Sequence, residues 1–328
     1  MFRFFRSSFA TQYIIIAITG LILWMPSFLH PIIMPAPEME APLYAVLYSL
    51  LKNSPHIQVL SGFLIMLISA FYCNYIFARN EVVPKNSSLA AFSFVIFSSW
   101  FPQALTLNPV SLSLLFLMIA FMAIYSSYSR TEWLDLTYTA GFFTGIATLI
   151  HPPSIIYLVF IWIATIISRS SGWRSFFSTL IGIITPFLFI SVYYFWFDKL
   201  EMKASLYFDN FREIHIPFLT NDLLFFIPFF VLAFVLLLVM INSFGNVQEK
   251  TIEGRRKNAI LYWFTFFTAF LFFFPGHPFK YTVIFVAVPL AGILSSYMLR
   301  IRKIRWQQIL WIVFIMFALA NNYFLLLS

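Results

Sequence analysis

The stretch SFFSTLIGIITPFLFISVYYFWF (175–197) decides the kind of fold this chain adopts. It contains no charged side chain, and a helix of this length can cross the roughly 30 Å hydrocarbon core of a bilayer. Comparable apolar runs recur along the whole chain. We therefore predict about eleven transmembrane helices, near 12–30, 57–77, 87–102, 109–127, 137–150, 154–168, 175–197, 222–243, 259–274, 281–299 and 307–327.

The composition supports this prediction. Of the 328 residues, 61% are hydrophobic and only 10% are charged, whereas a soluble domain is about 45–50% apolar and about 25% charged. A soluble enzyme, a disordered chain and a nucleic-acid-binding domain are thereby excluded. We predict an all-α, polytopic integral membrane protein with one domain over 1–328 and outer loops near 31–56 and 198–221. The single cysteine, Cys73, rules out an internal disulfide.

The charges between the apolar runs predict the orientation. With a cytoplasmic N-terminus, most of the 20 basic residues fall on the inner side, as the positive-inside rule requires. The five that remain outside are Lys52, Lys199, Lys203, Arg212 and Lys280. The net charge of +8 then reflects orientation, not binding to nucleic acid. We predict a multi-pass protein of the bacterial inner membrane with an extracytoplasmic C-terminus, contacting anionic lipid headgroups through the basic cluster at 300–305.

In this orientation all five histidines and most of the acidic residues lie at the outer face, so any chemistry is expected to face outward. Glu38 and Glu40 lie in the first outer loop, where either could act as a general base. A divalent metal ion could bind if the two carboxylates converge. The alternative is a solvated acidic loop. The apolar residues that follow, between 43 and 51, suggest an amphipathic helix at the membrane interface or a re-entrant segment.

Three further stretches of the sequence contain residues that could bind an anion. His151-Pro152-Pro153 separates two spans, and the proline pair should hold His151 extended at the outer surface. His151 is then either an interfacial residue or a phosphate ligand.

The outer turn 275–281 includes His277, and Lys280 beside Tyr281 stands at the mouth of the tenth span. Lys280 could hold a phosphate or could extend toward headgroups. The loop 198–221 has mixed charges, as solvated loops do, and Arg212 is its best candidate for an anion.

The order of these features resembles the GT-C superfamily of polytopic glycosyltransferases, which includes protein O-mannosyltransferases and lipid A aminoarabinose transferases. The shared pattern is an acidic motif after the first span, the series Gly141, Gly145, Ala147, Leu149 before a proline turn, and Lys280-Tyr281 followed by Pro289. The stretch 79–199 also resembles an uncharacterised polytopic membrane family of Bacteroidota.

The GT-C resemblance implies transfer of a sugar from a polyprenyl-phosphate carrier to an acceptor at the extracytoplasmic face. It implies that Glu40 or Glu38 is the base and that Lys280 is a phosphate ligand, with His151 at the related turn. The acceptor could be a protein, a lipid or a glycan. Two other functions remain open from the residues alone: transport of a lipid-linked sugar, and a non-catalytic scaffold in an envelope complex.

Overall fold

A computed structural model describes residues 10–37, 41–126, 133–168, 172–209, 251–271, 279–300 and 304–327, together with positions 234 and 237. Throughout these residues the regular structure is helical, without strands. The helices are α1 (Ala10–Leu29), α2 (Pro42–Leu51), α3 (Pro55–Arg79), α4 (Leu89–Ser98), α5 (Pro109–Tyr125), α6 (Leu134–Ile150), α7 (Tyr157–Ile167), α8 (Trp173–Trp196), α9 (Leu200–Asp209), α10 (Ile252–Phe270), α11 (Phe279–Arg300) and α12 (Ile304–Leu327).

The length and apolar composition of the described helices identify a membrane protein. Four of them are long and apolar enough to cross a bilayer: Thr11–Leu29, Pro55–Arg79, Trp173–Trp196 and Tyr281–Leu299. The other predicted spans correspond to helices that do not meet this criterion over the described residues or, at 222–243, lie almost wholly outside the described residues. The predicted span 87–102 is wrong as one helix. Helix α4 ends at Ser98, and a short 3-10 turn, Pro102–Ala104, follows.

Helix α4 lies at the centre of the fold. All ten of its residues are buried, between α3 and α11, and at about 15 Å it reaches only half-way through a hydrocarbon core. The Ser93 hydroxyl lies 2.9 Å from that of Ser295 on α11. A hydroxyl pair of this kind satisfies polar groups that lipid could not.

Irregular backbone continues from α4 to α5 through a buried segment, residues 99–108. Its carbonyls accept hydrogen bonds from side chains of distant helices. The Ser27 hydroxyl donates to Leu105 at 2.7 Å, and the Asn322 amide donates to Ser99 at 2.9 Å. Non-helical backbone at membrane depth is tolerated only when it is enclosed in protein and paired in this way.

Helices α6 and α8 pack at unusually short range because glycines remove side chains from the crossing. A Cβ added at Gly145 would lie 2.6 Å from Cγ of Pro186, and one added at Gly141 would meet the Thr179 carbonyl. Gly182 faces α6 in return. This is the small-residue packing that membrane helices use for close approach, and it sets the distance between two walls of the candidate site.

Contacts between distant residues place the ends of the described helices in two groups. We call them the His151 end, where α1, α4 and α6 finish, and the Asn80 end, where α3 finishes. The Trp24 indole donates to Ser99 at the first of these ends. At the Asn80 end, Lys257 lies 3.5 Å from the Asn80 carbonyl and pairs with Glu253 at 2.7 Å.

Candidate functional site

The loop that carries the two candidate acids is held at both ends by one buried glutamine. Gln58 accepts the backbone N–H of Met34 at 2.8 Å and donates its amide to the carbonyl of Leu51, also at 2.8 Å. It is fully enclosed. Glu38 and Glu40 themselves lie outside the described residues, so their roles stay predictions, but the chain on either side of them is anchored.

Helix α2 forms where the sequence predicts an amphipathic helix. Pro42 and Tyr44 face the protein, while Val46 and Leu50 are exposed by 58% and 73%. The Tyr44 hydroxyl donates to the carbonyl of Pro35 at 2.6 Å. An exposed apolar face on a short helix fits a position at the membrane interface. The opposite face of α2 packs on the protein and, through Tyr44, contacts the first loop.

Tyr281, near the start of α11, is close enough to Tyr44 of α2 to act on it electrostatically. Burial raises the pKa of the Tyr44 hydroxyl, and the neighbouring hydroxyls of Tyr281 and Tyr48 raise it further. Lys280 precedes Tyr281 in the first turn of α11, so its backbone stands at the same end. Nothing is described of its side chain.

Two other anion-binding candidates, His277 and Arg212, lie outside the described residues. Their assignment stays a prediction.

His151 caps the end of α6. Its backbone is extended, with φ −140° and ψ 94°, as the following proline pair predicts. The expectation that it lies at the surface is wrong, because only 2% of the residue is exposed. Its Nδ1 lies 2.9 Å from the Ser154 hydroxyl, and its ring packs 5.5 Å from that of Phe285 on α11. The prolines start a 3-10 turn, Pro152–Ile156, after which the Tyr157 ring also packs against Phe285 of α11.

A cavity of about 310 Å³ opens beside these elements, between the end of α6, the last turns of α8 and helix α9. Pockets that hold small molecules have volumes of about 300–1,000 Å³ and mostly apolar linings. Among its lining residues, Lys203 is the one charged side chain. The lining comprises Pro42, Thr148, Leu149, Ile155, Phe187, Ile190, Ser191, Tyr194, Leu200, Lys203, Ala204, Tyr207 and Phe208.

Helix α9 is folded back over this cavity by the turn at Asp198. Asp198 adopts the left-handed conformation, with φ 53°. The N–H of Lys199 donates to Tyr194 at 2.9 Å, and that of Asp198 donates to Phe195 at 3.1 Å. This pair of hydrogen bonds is a Schellman motif, which ends a helix and reverses the chain.

The far end of α9 is tied to α6. The Tyr207 hydroxyl donates to the Thr148 carbonyl at 3.3 Å, and its ring packs 5.7 Å from that of Phe187. Burial raises the pKa of the Tyr207 hydroxyl, which therefore stays a neutral donor at ordinary pH.

Sequence reasoning missed this cavity because the mixed charges of 198–221 suggested a solvated loop. A signal was nevertheless present. Leu200, Ala204, Tyr207 and Phe208 recur at the three- and four-residue spacing of one helical face. That spacing predicts a helix with one apolar side in this region.

The fold brings together features that are far apart in the sequence. Ala41, Tyr44 and Ile150 belong to one buried cluster, so the first loop and the His151 turn meet. Pro42 also lines the cavity. Across the described part of the chain, no group of three or more His, Cys, Asp or Glu side chains could hold a metal ion.

The architecture is that of a helical membrane protein with a ligand-sized cavity at one end. The chain belongs to a family of unknown function, DUF6427, whose model matches residues 6–327. No curated protein and no solved structure matches the chain significantly.

Proposed function

We propose that this protein is a membrane glycosyltransferase of GT-C type, which transfers a sugar from a polyprenyl-phosphate carrier to an acceptor. The proposal includes about eleven transmembrane helices, a cytoplasmic N-terminus and a site at the extracytoplasmic face of the bacterial inner membrane. The His151 end is then the outer end.

One observation carries the proposal: described residues next to the three features on which the resemblance rests lie at one end of the molecule. Helix α2, which follows Glu38 and Glu40 in the sequence, contacts the end of α6 next to His151, and the His151 ring packs against Phe285 near the start of α11. The glycines of the resemblance have a separate explanation, since Gly141 and Gly145 serve helix packing. The support therefore lies in the acidic loop, the histidine turn and the Lys280 region.

In this mechanism Glu40, or Glu38, accepts the proton of the acceptor's nucleophilic group. The acceptor atom bonds to the anomeric carbon as the bond from that carbon to the carrier phosphate breaks. Lys280, with His151, His277, Arg212 and Tyr281, would stabilise the departing phosphate. A positioned base is worth about 10²–10⁴-fold in rate, and cations placed where charge develops lower the barrier further. A divalent metal ion is required only if Glu38 and Glu40 bind one together.

The test is transfer from a radiolabelled polyprenyl-phosphate sugar by purified protein in lipid vesicles. Glu40→Gln and Lys280→Ala should abolish transfer without changing the melting temperature. Glu201→Gln and Lys52→Ala are matched controls, because both side chains are exposed and neither lines the cavity. Normal transfer by both Glu40→Gln and Lys280→Ala would overturn the site assignment.

The orientation can be tested separately. Cys73 is buried, so a membrane-impermeant maleimide should label the native protein poorly. Lys52→Cys, in the exposed turn between α2 and α3, should be labelled in intact cells if the His151 end faces outward. Labelling only after the membrane is opened would reverse the topology.

A second candidate function is transport of a lipid-linked sugar. Its support is the half-length α4 and the buried segment 99–108, since transporters build their sites at broken helices. Transporters also use buried ionisable residues. In the described part of the chain His151 is buried, whereas no Asp, Glu, Lys or Arg is. Movement of the lipid-linked sugar across reconstituted vesicles without any transfer would favour this candidate.

A further inference from the structure

We infer that the cavity under α9 binds a lipid phosphate with a single hydrocarbon chain: the chain fills the cavity and the phosphate lies beside Lys203. This inference deepens the proposed function and rests on it for the identity of the carrier. It adds Lys203 of α9 as a ligand of the carrier phosphate. Lys203 belongs to the stretch 198–221, whose mixed charges suggested a solvated loop.

The lining favours a hydrocarbon chain. Apolar side chains line the cavity from α6, from the 3-10 turn after His151 and from α8: Leu149, Ile155, Phe187 and Ile190. Leu200 and Phe208 line it from α9. Such a surface binds chains because it removes apolar area from water or from polar headgroups. The cavity volume of about 310 Å³ lies in the range of pockets that hold small molecules and accommodates a segment of a hydrocarbon chain.

The polar groups favour a phosphate at one point of that lining. Lys203 is half-buried and lines the cavity together with the hydroxyl-bearing Ser191 and Tyr194. An ammonium is a common ligand for phosphate, and hydroxyls complete its hydrogen bonding.

Position supports the same occupant. The cavity lies at the end of α8. In the turns before that end, α8 has an exposed apolar face, where Phe189 is exposed by 71% and Val192 by 64%. A chain can therefore pass from the membrane into the cavity along α8. Pro42, two residues beyond Glu40, forms part of the opposite wall, so a phosphate at Lys203 is within the same end of the molecule as the candidate base.

The experiment uses the full-length protein in phosphatidylcholine nanodiscs, with a photoreactive hexadecyl phosphate as the probe and the corresponding hexadecanol as the neutral comparison. After irradiation, the labelled peptides are mapped by mass spectrometry. We expect the phosphate probe to label the cavity lining on α6, α8 and α9, about fivefold more than the alcohol. Label spread along the exposed face of α8, or equal labelling by the two probes, would overturn the inference.

Three variants sharpen the result. Ala204→Trp should fill the cavity and reduce labelling severalfold, whereas Ser205→Trp, on the next and exposed position of α9, should not. Lys203→Ala should reduce labelling by the phosphate probe about fivefold, the size expected for one partly exposed charge contact, and leave the alcohol unaffected. Unchanged labelling in Ala204→Trp would overturn the site.

The mapping of the native protein needs no variant, so a folding defect in Ala204→Trp does not remove the test. The assay also requires no sugar transfer. A protein that binds the probe in the cavity but transfers nothing would overturn the proposed function and leave the lipid site in place. A protein that transfers sugar but is not labelled in the cavity would overturn the lipid site and leave the proposed function in place.

Discussion

Gly182 on α8 lies directly against the backbone of Tyr138 on α6. A Cβ atom added to Gly182 would come closer than 3.0 Å to the Tyr138 carbonyl oxygen, a separation that real Cβ atoms essentially never show. The two helices can therefore be this close only while this position has no side chain. Both helices supply walls of the cavity, so this contact sets its width.

We predict that Gly182→Ala destabilises the protein by about 1–3 kcal/mol, the usual cost of forcing extra atoms into a packed interface. The sign of this change in stability is informative, because alanine in place of glycine would otherwise stabilise a helix by up to about 1 kcal/mol. Thermal unfolding in detergent measures the difference. Gly172→Ala is the control, since no neighbouring heavy atom lies within 4 Å of its added Cβ. Equal melting temperatures for the two variants would contradict the prediction.

The second prediction concerns the turn at Asp198. Its left-handed backbone costs a β-branched residue about 1–2 kcal/mol, so Asp198→Val should loosen the connection between α8 and α9. Limited proteolysis should then cut more rapidly near residue 198. Asp198→Gly, which accepts this conformation freely, should behave like the native protein. If valine and glycine give the same cleavage rate, the reversal of the chain does not depend on this motif.

Gln58 provides the third prediction. Gln58→Leu keeps the volume but leaves the Met34 N–H and the Leu51 carbonyl without their side-chain partner. An unsatisfied buried polar group costs about 1–3 kcal/mol, so stability should fall by about 2 kcal/mol or more. Transfer activity should fall with it, because Gln58 anchors both sides of the loop that holds Glu40. The matched control is Ile57→Leu, at the adjacent exposed position of α3. A stable, fully active Gln58→Leu would show that the loop needs no such anchor.

The fourth prediction is a pH dependence. Burial raises the pKa of the Tyr44 hydroxyl in the folded protein above its ordinary value of 10.0, so the folded state keeps the phenol neutral at a pH where the unfolded chain ionises it. The contribution of Tyr44 is complete below about pH 10 and is lost as the pH rises above that value, by about 1.4 kcal/mol per unit. Other tyrosines add similar losses, so the measurement is the difference between native protein and Tyr44→Phe. The native protein should lose stability faster between pH 10 and 11; parallel curves would contradict this.

Much of the fold follows from the sequence where one local signal decides the outcome. The Asn108-Pro109 pair predicts the start of a helix, and α5 begins at Pro109 with Asn108 accepting the Ser111 N–H at 2.8 Å. The proline pair after His151 likewise predicts the break after α6. In each case the cause lies within three or four residues, so no knowledge of the tertiary structure is needed.

The rest depends on contacts between distant residues. The burial of His151 requires Phe285, more than a hundred positions away, to pack over its ring. The cavity requires Tyr207 to reach Thr148 and Asp198 to reverse the chain. Apolar composition alone could not distinguish α4, buried on every side, from a helix facing lipid, because both sequences are uniformly hydrophobic.

The buried segment 99–108 has a consequence for how the protein is made. The carbonyls of Ser99 and Trp100 accept their hydrogen bonds from Asn322 and Asn321 on α12, a helix synthesised more than two hundred residues later. Until α12 arrives, those carbonyls need another partner, which hydrocarbon does not offer. We therefore expect the hydrogen bonding of this segment to be completed only after α12 has been synthesised and has docked.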